Sequence, residues 1–301
     1  MEKLYQYTID ENDQNQRLDV FLTKNLQEAP SRTFIKKLID TGKVSVNQKQ
    51  AKAHYKILKG DQIVVNFEYV AEEDKNIKPE NIPLNIFYQD QDLIVIHKPI
   101  GLMVHPATGN YSGTLVNALL HHFKSLSDVN GQIRPGIVHR LDRETSGLIL
   151  AAKNNKAHVY LARQFEKHKV YKKYIALVQG NIAFDQGVIE APIRDHPRYF
   201  DLKQVAFDGV GREAVTYYEV LKRYDDKTLV ALYPQTGRTH QLRVHLKHLG
   251  HPILGDDKYG RKETFSRLAL HAQIIGFLHP ATRLYMECVS QIPEFFYSFD
   301  K

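Results

Sequence analysis

The sequence predicts an α+β protein in two parts: two helices packed on a few strands, followed by a larger domain in which strands outnumber helices. Three observations predict this division. The first 70 residues carry two helical apolar stripes and then alternating apolar positions, residues 71–83 lose all apolar periodicity, and strand-like runs dominate from Leu84 onward. At 301 residues, 43% hydrophobic and 25% charged, the chain can bury two cores and has neither a disordered nor a fibrous composition.

Each element follows from local pattern. Leu18, Phe21 and Leu22, with Leu26 beyond them, predict a short amphipathic helix over residues 17–26. Ser31 after Pro30 is a good N-cap for a second helix, Ile35, Leu38 and Ile39 form its apolar stripe, and Gly42 stands where a helix stops. Its outer face carries Arg32, Lys36 and Lys37. Val44 and Val46 alternate as a strand, Asn47 to Lys49 make a polar turn, and Lys59-Gly60-Asp61 turns into alternating Ile63, Val65 and Phe67. Glu72, Glu73, Asp74, Pro79, Glu80 and Pro83 make residues 71–83 an interdomain linker. Beyond it, strands are expected at 92–97, 147–152, 174–178, 214–220, 228–232, 268–275 and 284–289, and helices at 114–121, 155–167 and 239–249.

Composition excludes several classes. The longest apolar runs, 148–152 and 269–278, fall short of the roughly 20 residues a bilayer span needs. Residues 1–10 show no apolar export segment, so the chain reads as cytoplasmic. A lone Cys288 can form neither an internal disulfide nor a cysteine zinc site. Fifteen histidines invite a metal reading, above all His245, His248 and His251, but no carboxylate completes a ligand set and no metal is expected. The net charge of +7 is concentrated: between Ser31 and Lys59 lie eight basic residues, Lys43 among them, against Asp40 alone. Such a field attracts polyanions, and an ordinary solvated face explains it equally well on charge alone.

The run 136–152 places Arg140, Asp142 and Arg143 between two apolar stretches. A carboxylate beside guanidinium groups stays ionised, which suits a nucleophile or an electrostatic stabiliser, while an Arg-Asp pair pinning a loop accounts for the same residues.

Two resemblances bear on these alternatives. Arg17-Leu18-Asp19, Ser31-Arg32, Gly42-Lys43-Val44, Val46-Asn47 and Lys59-Gly60-Asp61 resemble the RNA-binding domain named after ribosomal protein S-four. His139-Arg140-Leu141-Asp142, completed by Thr145-Ser146-Gly147, resembles the signature of pseudouridine synthases of the RluA type. The segments 92–106 and 237–245 are similar to that family's opening strand and third motif, with smaller matches at Lys173-Tyr174, Gly255-Asp256, Tyr259-Gly260, Leu270-His271-Ala272 and His279-Pro280. His97 departs from the family's usual Asn before Lys-Pro.

The resemblance implies an RNA-binding domain over 13–70, the linker, and over 84–295 a catalytic domain built on a largely antiparallel curved mixed sheet flanked by helices and loops. Asp142 would lie in a cleft across that sheet. It implies Asp142 as the catalytic aspartate, Tyr174 stacking on the target base and able to take the carbon 5 proton, and Arg238 pairing with the carboxylate. Arg140 would enter the RNA stack, and Arg32, Lys36, Lys37 and Lys43 would hold RNA. The expected reaction is isomerisation of uridine in structured RNA by a monomer, without cofactor, metal or membrane. Large-subunit ribosomal RNA is the expected substrate, because a second basic surface on a linker suits a large folded RNA, with transfer RNA as the alternative. A noncatalytic RNA-binding protein would have lost the aspartate, tyrosine or arginine, and a glycosidase would need a second placed carboxylate, for which only Glu144 is near.

Overall fold

The computed structural model describes residues 2–26, 32–68, 77–106, 111–131, 134–199, 201–262 and 265–299. The chain divides into two units, Met1–Lys75 and Asn76–Lys301. The first contains β1 (Glu2–Thr8), α1 (Leu18–Asn25), α2 (Arg32–Asp40), β2 (Val44–Val46), β3 (Lys49–Gln50) and β4 (Gln62–Glu68). Its antiparallel sheet has the order β1-β4-β2-β3. Leu18, Phe21 and Leu22 of α1 and Ile35, Leu38 and Ile39 of α2 close over Val44, Val46, Ile63 and Val65, all buried, each apolar side chain contributing about 1.5 to 3 kcal/mol.

Polar side chains fix the ends of these elements. Arg17 leads into α1 and donates from Nε and Nη2 to the two oxygens of buried Asp19, at 3.0 Å each. Asp61 accepts from Asn47 Nδ2, Tyr55 Oη and the Leu58 N–H, and these donors outweigh its burial and hold its carboxyl below the ordinary range. The expected N-cap Ser31 lies outside the described residues, as do the side chains of Arg32, Lys37 and Phe67.

Pattern reading began this unit at residue 13, yet β1 pairs with β4 along its whole length. Tyr5 and Tyr7 alternate toward the core and Ile9 is buried, but Leu4 is exposed and the intervening residues are polar, so the stretch falls short of an obvious strand.

The second unit is built on a sheet of the order β5-β6-β7-β14-β8-β13-β12-β9, with β15 pairing β14 over Ile274–Leu278, beyond its short contact with β7. Its strands are β5 (Ile86–Gln89), β6 (Leu93–Lys98), β7 (Ser146–Ala152), β8 (Tyr171–Gln179), β9 (Gln186–Glu190), β12 (Val215–Arg223), β13 (Lys227–Pro234), β14 (Leu270–Leu278) and β15 (Tyr285–Val289). A small hairpin joins β10 (Ile193–Asp195) to β11 (Lys203–Val205). Among the described strands only β7 and β14 pair in parallel, through His271 with Ser146 and Ala272 with Gly147. Helices α3 (Leu115–His122), α4 (Asn155–Glu166) and α5 (Gln241–His248) complete the unit.

Strands β6 and β7 read as continuous apolar runs because both of their faces are covered. Ile94, Ile96 and Ile149 pack with Leu115 and Leu119 of α3, while Leu93, Val95, Leu148 and Leu150 pack with Ala157 and Leu161 of α4. A further core joins Ile175 and Leu177 of β8 and Val230 and Leu232 of β13 to Leu242 and Leu246 of α5.

The strands absent from pattern reading are short or exposed: β5 is solvent-facing at all four residues, and β10 and β11 carry Arg194, Asp195 and Lys203. The linker expected over 71–83 is corrected in its second half. Ile77 is buried, Glu80 N–H donates to Asn117 O, and Asn117 Nδ2 donates to Lys78 O, so residues 77–83 run along α3. Residues 71–76 lie outside the described residues. Beyond the expected limit of 295, Phe296 is fully buried in the β8–β13 core, and Phe299 packs against it. No helix among the described residues is long and apolar enough to cross a membrane.

Candidate active site

Asp142 lies in the turn that feeds β7. The Thr145 N–H donates to Asp142 O at 3.1 Å, closing a turn over Arg143 and Glu144 that leaves the carboxylate on the wall of a cleft, 17% exposed. A buried lysine ties this turn to the neighbouring loop: Lys98 Nζ donates to the carbonyls of Pro99, Leu102 and Arg143 at 2.9, 2.8 and 3.0 Å. Burial pushes Lys98 down to about 8 against the opposing pull of Glu144 and Asp142. The resemblance already covered Lys98, but its positioning role is visible only in three dimensions.

Helix α5 supplies the facing wall. His240 precedes it in the left-handed region, φ +58°, and its Nδ1 meets Tyr259 Oη at 2.8 Å. A histidine in that region is uncommon, and such backbone strain concentrates at functional sites. The expected helix start at 239 shifts to Gln241 because this residue breaks the helical backbone. Gln241 then locks the turn, accepting from Thr236 Oγ1 and the Arg238 N–H and donating to Val215 O and Thr216 Oγ1.

Two residues into α5, Arg243 is 97% buried in its side chain, and its Nε and Nη2 grip the fully buried Asp256 at 2.8 and 2.6 Å. Nη2 also reaches Asp257 at 3.1 Å, and Nη1 faces Asp142 Oδ2 at 3.9 Å. Burial disfavours the guanidinium charge, but Asp256 and Asp142 outweigh it and raise Arg243 further.

The cleft, about 460 Å³, runs between these walls and is closed on one side by β8. Tyr174 lines it, and burial together with the Asp142 charge raises its hydroxyl above the ordinary range. Farther along, His139 stacks on Phe165 at 4.5 Å and accepts the Leu150 N–H through Nε2 at 2.9 Å. Burial pushes His139 down to about 3, so it is a neutral acceptor.

The structure brings Asp142, Tyr174, Arg140 and Arg238 to one cleft. Arg140 is exposed at its rim. The expected pairing of Arg238 is corrected: Arg238 Nε donates to Glu213 O at 3.0 Å, and the guanidinium facing Asp142 belongs to Arg243. Both arginines stand in the segment 237–245, but Arg238 precedes the left-handed His240 while Arg243 points inward from the helix. Lys36 is exposed on α2, whereas Lys43 is half-buried and engaged. His245 is held by Thr216 Oγ1 and Ala191 O, and His251 by Gln179 O. One group of possible ligands exists among the described residues, Asp90, Asp92 and His279, where Asp90 already takes His279 Nε2, Tyr88 Oη and two backbone N–H groups.

An acid facing a buried arginine, aromatic walls and a basic rim suit an enzyme acting on an anionic, ring-bearing substrate. Comparison with known proteins identifies the class. The family described as RNA pseudouridylate synthase matches residues 92–248, which hold every cleft residue named above, and the S4 domain matches 16–63. The chain belongs to the RNA pseudouridylate synthase family, in its RluA-type branch with an N-terminal S4 domain. It is 44% identical over 289 residues to an uncharacterized RNA pseudouridine synthase, YlyB, of Bacillus subtilis, covering 95% of this chain and 94% of that protein. It is 37% identical over 303 residues to ribosomal large subunit pseudouridine synthase D of Escherichia coli K12, covering 95% and 90%. Among solved structures, human RNA pseudouridylate synthase domain containing 1 superposes with a TM-score of 0.60 at 28% identity, over 73% of this chain and 88% of that one.

Proposed function

We propose that this protein converts uridine to pseudouridine in folded large-subunit ribosomal RNA, with Asp142 as the carboxylate that acts on the nucleotide. The observation that carries the chemistry is the place of Asp142 in the cleft, facing Arg243 Nη1 at 3.9 Å and near enough to Tyr174 to raise its hydroxyl. The reaction breaks the bond between uracil nitrogen 1 and ribose carbon 1′, forms one from carbon 5 to carbon 1′, and moves a proton off carbon 5 while nitrogen 1 gains one. Atoms and electrons balance within the substrate, so the isomerisation calls for no oxidant and no group donor. Asp142 serves as nucleophile at the sugar or ring, or as the base that removes the 2′ proton.

Arg243 keeps a positive charge beside Asp142 throughout. A hydroxyl raised as Tyr174's is stays protonated, which suits a stacking platform for the displaced base better than a proton acceptor. Arg140, exposed at the rim, fills the gap left in the RNA stack in this reading, offsetting the few kcal/mol that base extrusion costs. The substrate assignment is supported by the name of the Escherichia coli relative, which matches both units.

The test is to map pseudouridine in unmodified large-subunit RNA and in transfer RNA after incubation with the parent and with Asp142→Asn. Product in the large-subunit RNA is expected from the parent alone, with the variant still bound to RNA, because affinity comes mainly from phosphate contacts. Turnover by Asp142→Asn near the parental rate sinks its assignment, and modification of transfer RNA alone overturns the substrate.

A further inference from the structure

Burial pushes two lysines of the catalytic unit down to about 8, and their surroundings differ. Lys98 has three carbonyl acceptors and none of its surface is exposed. Lys172 lies on the wall of the cleft, half-buried, on the face of β8 that also carries Tyr174. Among the described residues no hydrogen bond or ion pair reaches its Nζ, and burial alone accounts for its fall. Its neighbour Lys173 takes the opposite face of the strand, 5.9 Å from the centre of the Tyr233 ring.

A half-buried ammonium without a counter-charge is unfavourable in the free protein, and the counter-charge that corrects it comes with whatever fills the cleft. RNA is an anion at every nucleotide. Residues two apart on one strand face stand about 7 Å from each other. That is the order of the separation between a pyrimidine ring and the phosphates of its own nucleotide, so a base against Tyr174 leaves a phosphate within reach of Lys172.

We propose that Lys172 binds a phosphodiester flanking the target nucleotide when the extruded base lies against Tyr174. This rests on the reading of the cleft as the uridine site. A phosphodiester carries its charge before any bond breaks, so the contact exists in the ground state and appears in affinity rather than in the chemical step.

The experiment compares the full-length parent with Lys172→Gln, Lys172→Met and Lys172→Arg on unmodified large-subunit RNA, measuring binding across a salt titration and the turnover constants. Both neutral variants are expected to bind about tenfold more weakly, one charge-assisted contact. Their log-log salt slope should flatten by about 0.7 to 0.9. kcat should stay within about threefold so that the loss falls on KM, and Lys172→Arg should recover most of the affinity. Unchanged affinity and slope in both neutral variants, or a loss confined to kcat, overturns the proposal. A parent that binds RNA but forms no pseudouridine refutes the proposed reaction instead, and the salt titration still decides Lys172.

Discussion

Arg243 shows how far a single side chain's role depends on the backbone that carries it. Its guanidinium joins the buried Asp256 to the cleft carboxylate Asp142, whereas Arg238, five residues earlier in the same segment, is half-buried and donates to one carbonyl. Removing one partner of a buried pair costs about 3 to 5 kcal/mol, because the other charge is left uncompensated. Arg243→Ala is therefore expected to lower Tm by roughly 10 °C and abolish turnover, and Arg243→Lys to rescue little, since an ammonium cannot grip Asp256 with a two-pronged fork. Arg238→Ala forfeits about one hydrogen bond, about 1 kcal/mol, and should leave Tm almost unchanged. Thermal unfolding of the three variants checks this ordering, and equal losses would mean that Arg243 does not carry the pair.

At the level of elements, the Asp142 turn depends on the junction where β7 meets β14 in parallel. Gly147 adopts φ +114° there, and a Cβ on it would lie 2.1 Å from the Ala272 carbonyl oxygen. Gly147→Ala must push the two strands apart two residues from Thr145, whose N–H closes the Asp142 turn. We expect a loss of at least about 3 kcal/mol in denaturant unfolding together with loss of activity. Gly101→Ala is the control: it also has positive φ, +83°, but open space around it, so it should cost only about 1 to 2 kcal/mol of backbone strain. Equal destabilisation by the two would show that the close approach to Ala272 is unimportant. The same element accounts for what pattern could reveal. Leu148 to Ala152 is apolar throughout because α3 and α4 cover both sides, while β5, exposed along its length, has no apolar alternation to read.

For the whole molecule, the question is what the S4 unit adds. Its basic residues belong to a different unit from Asp142, so they should contribute a salt-dependent affinity that is indifferent to Asp142. Changing Lys36, Lys37 and Lys43 together to Gln is expected to weaken RNA binding and flatten the log-log salt slope by up to about two to three, leaving kcat at saturating RNA near the parental value. A slope identical to the parent's would reduce this face to a solvated surface. Because the two units are joined in one chain, a weak contact by one raises the effective concentration of the other at its RNA.

The sequence by itself determined the two-part α+β organisation, the helices and central strands that bury apolar stripes, the aspartate and tyrosine of the cleft, and the family those motifs define. These are local or ordered along the chain, and periodicity and motif order survive without coordinates. The tertiary structure alone decided which arginine faces Asp142, that Lys98 holds the Asp142 turn, that residues 77–83 belong to the larger unit, and that Lys172 lines the cleft without a partner among the described residues. Each of these depends on contacts between residues distant in sequence, such as Lys98 with Arg143 or Glu80 with Asn117, and on one left-handed residue, His240, that turns the backbone between two arginines of a single motif. Linear spacing records which residues are present, while burial and backbone direction decide which of them meet.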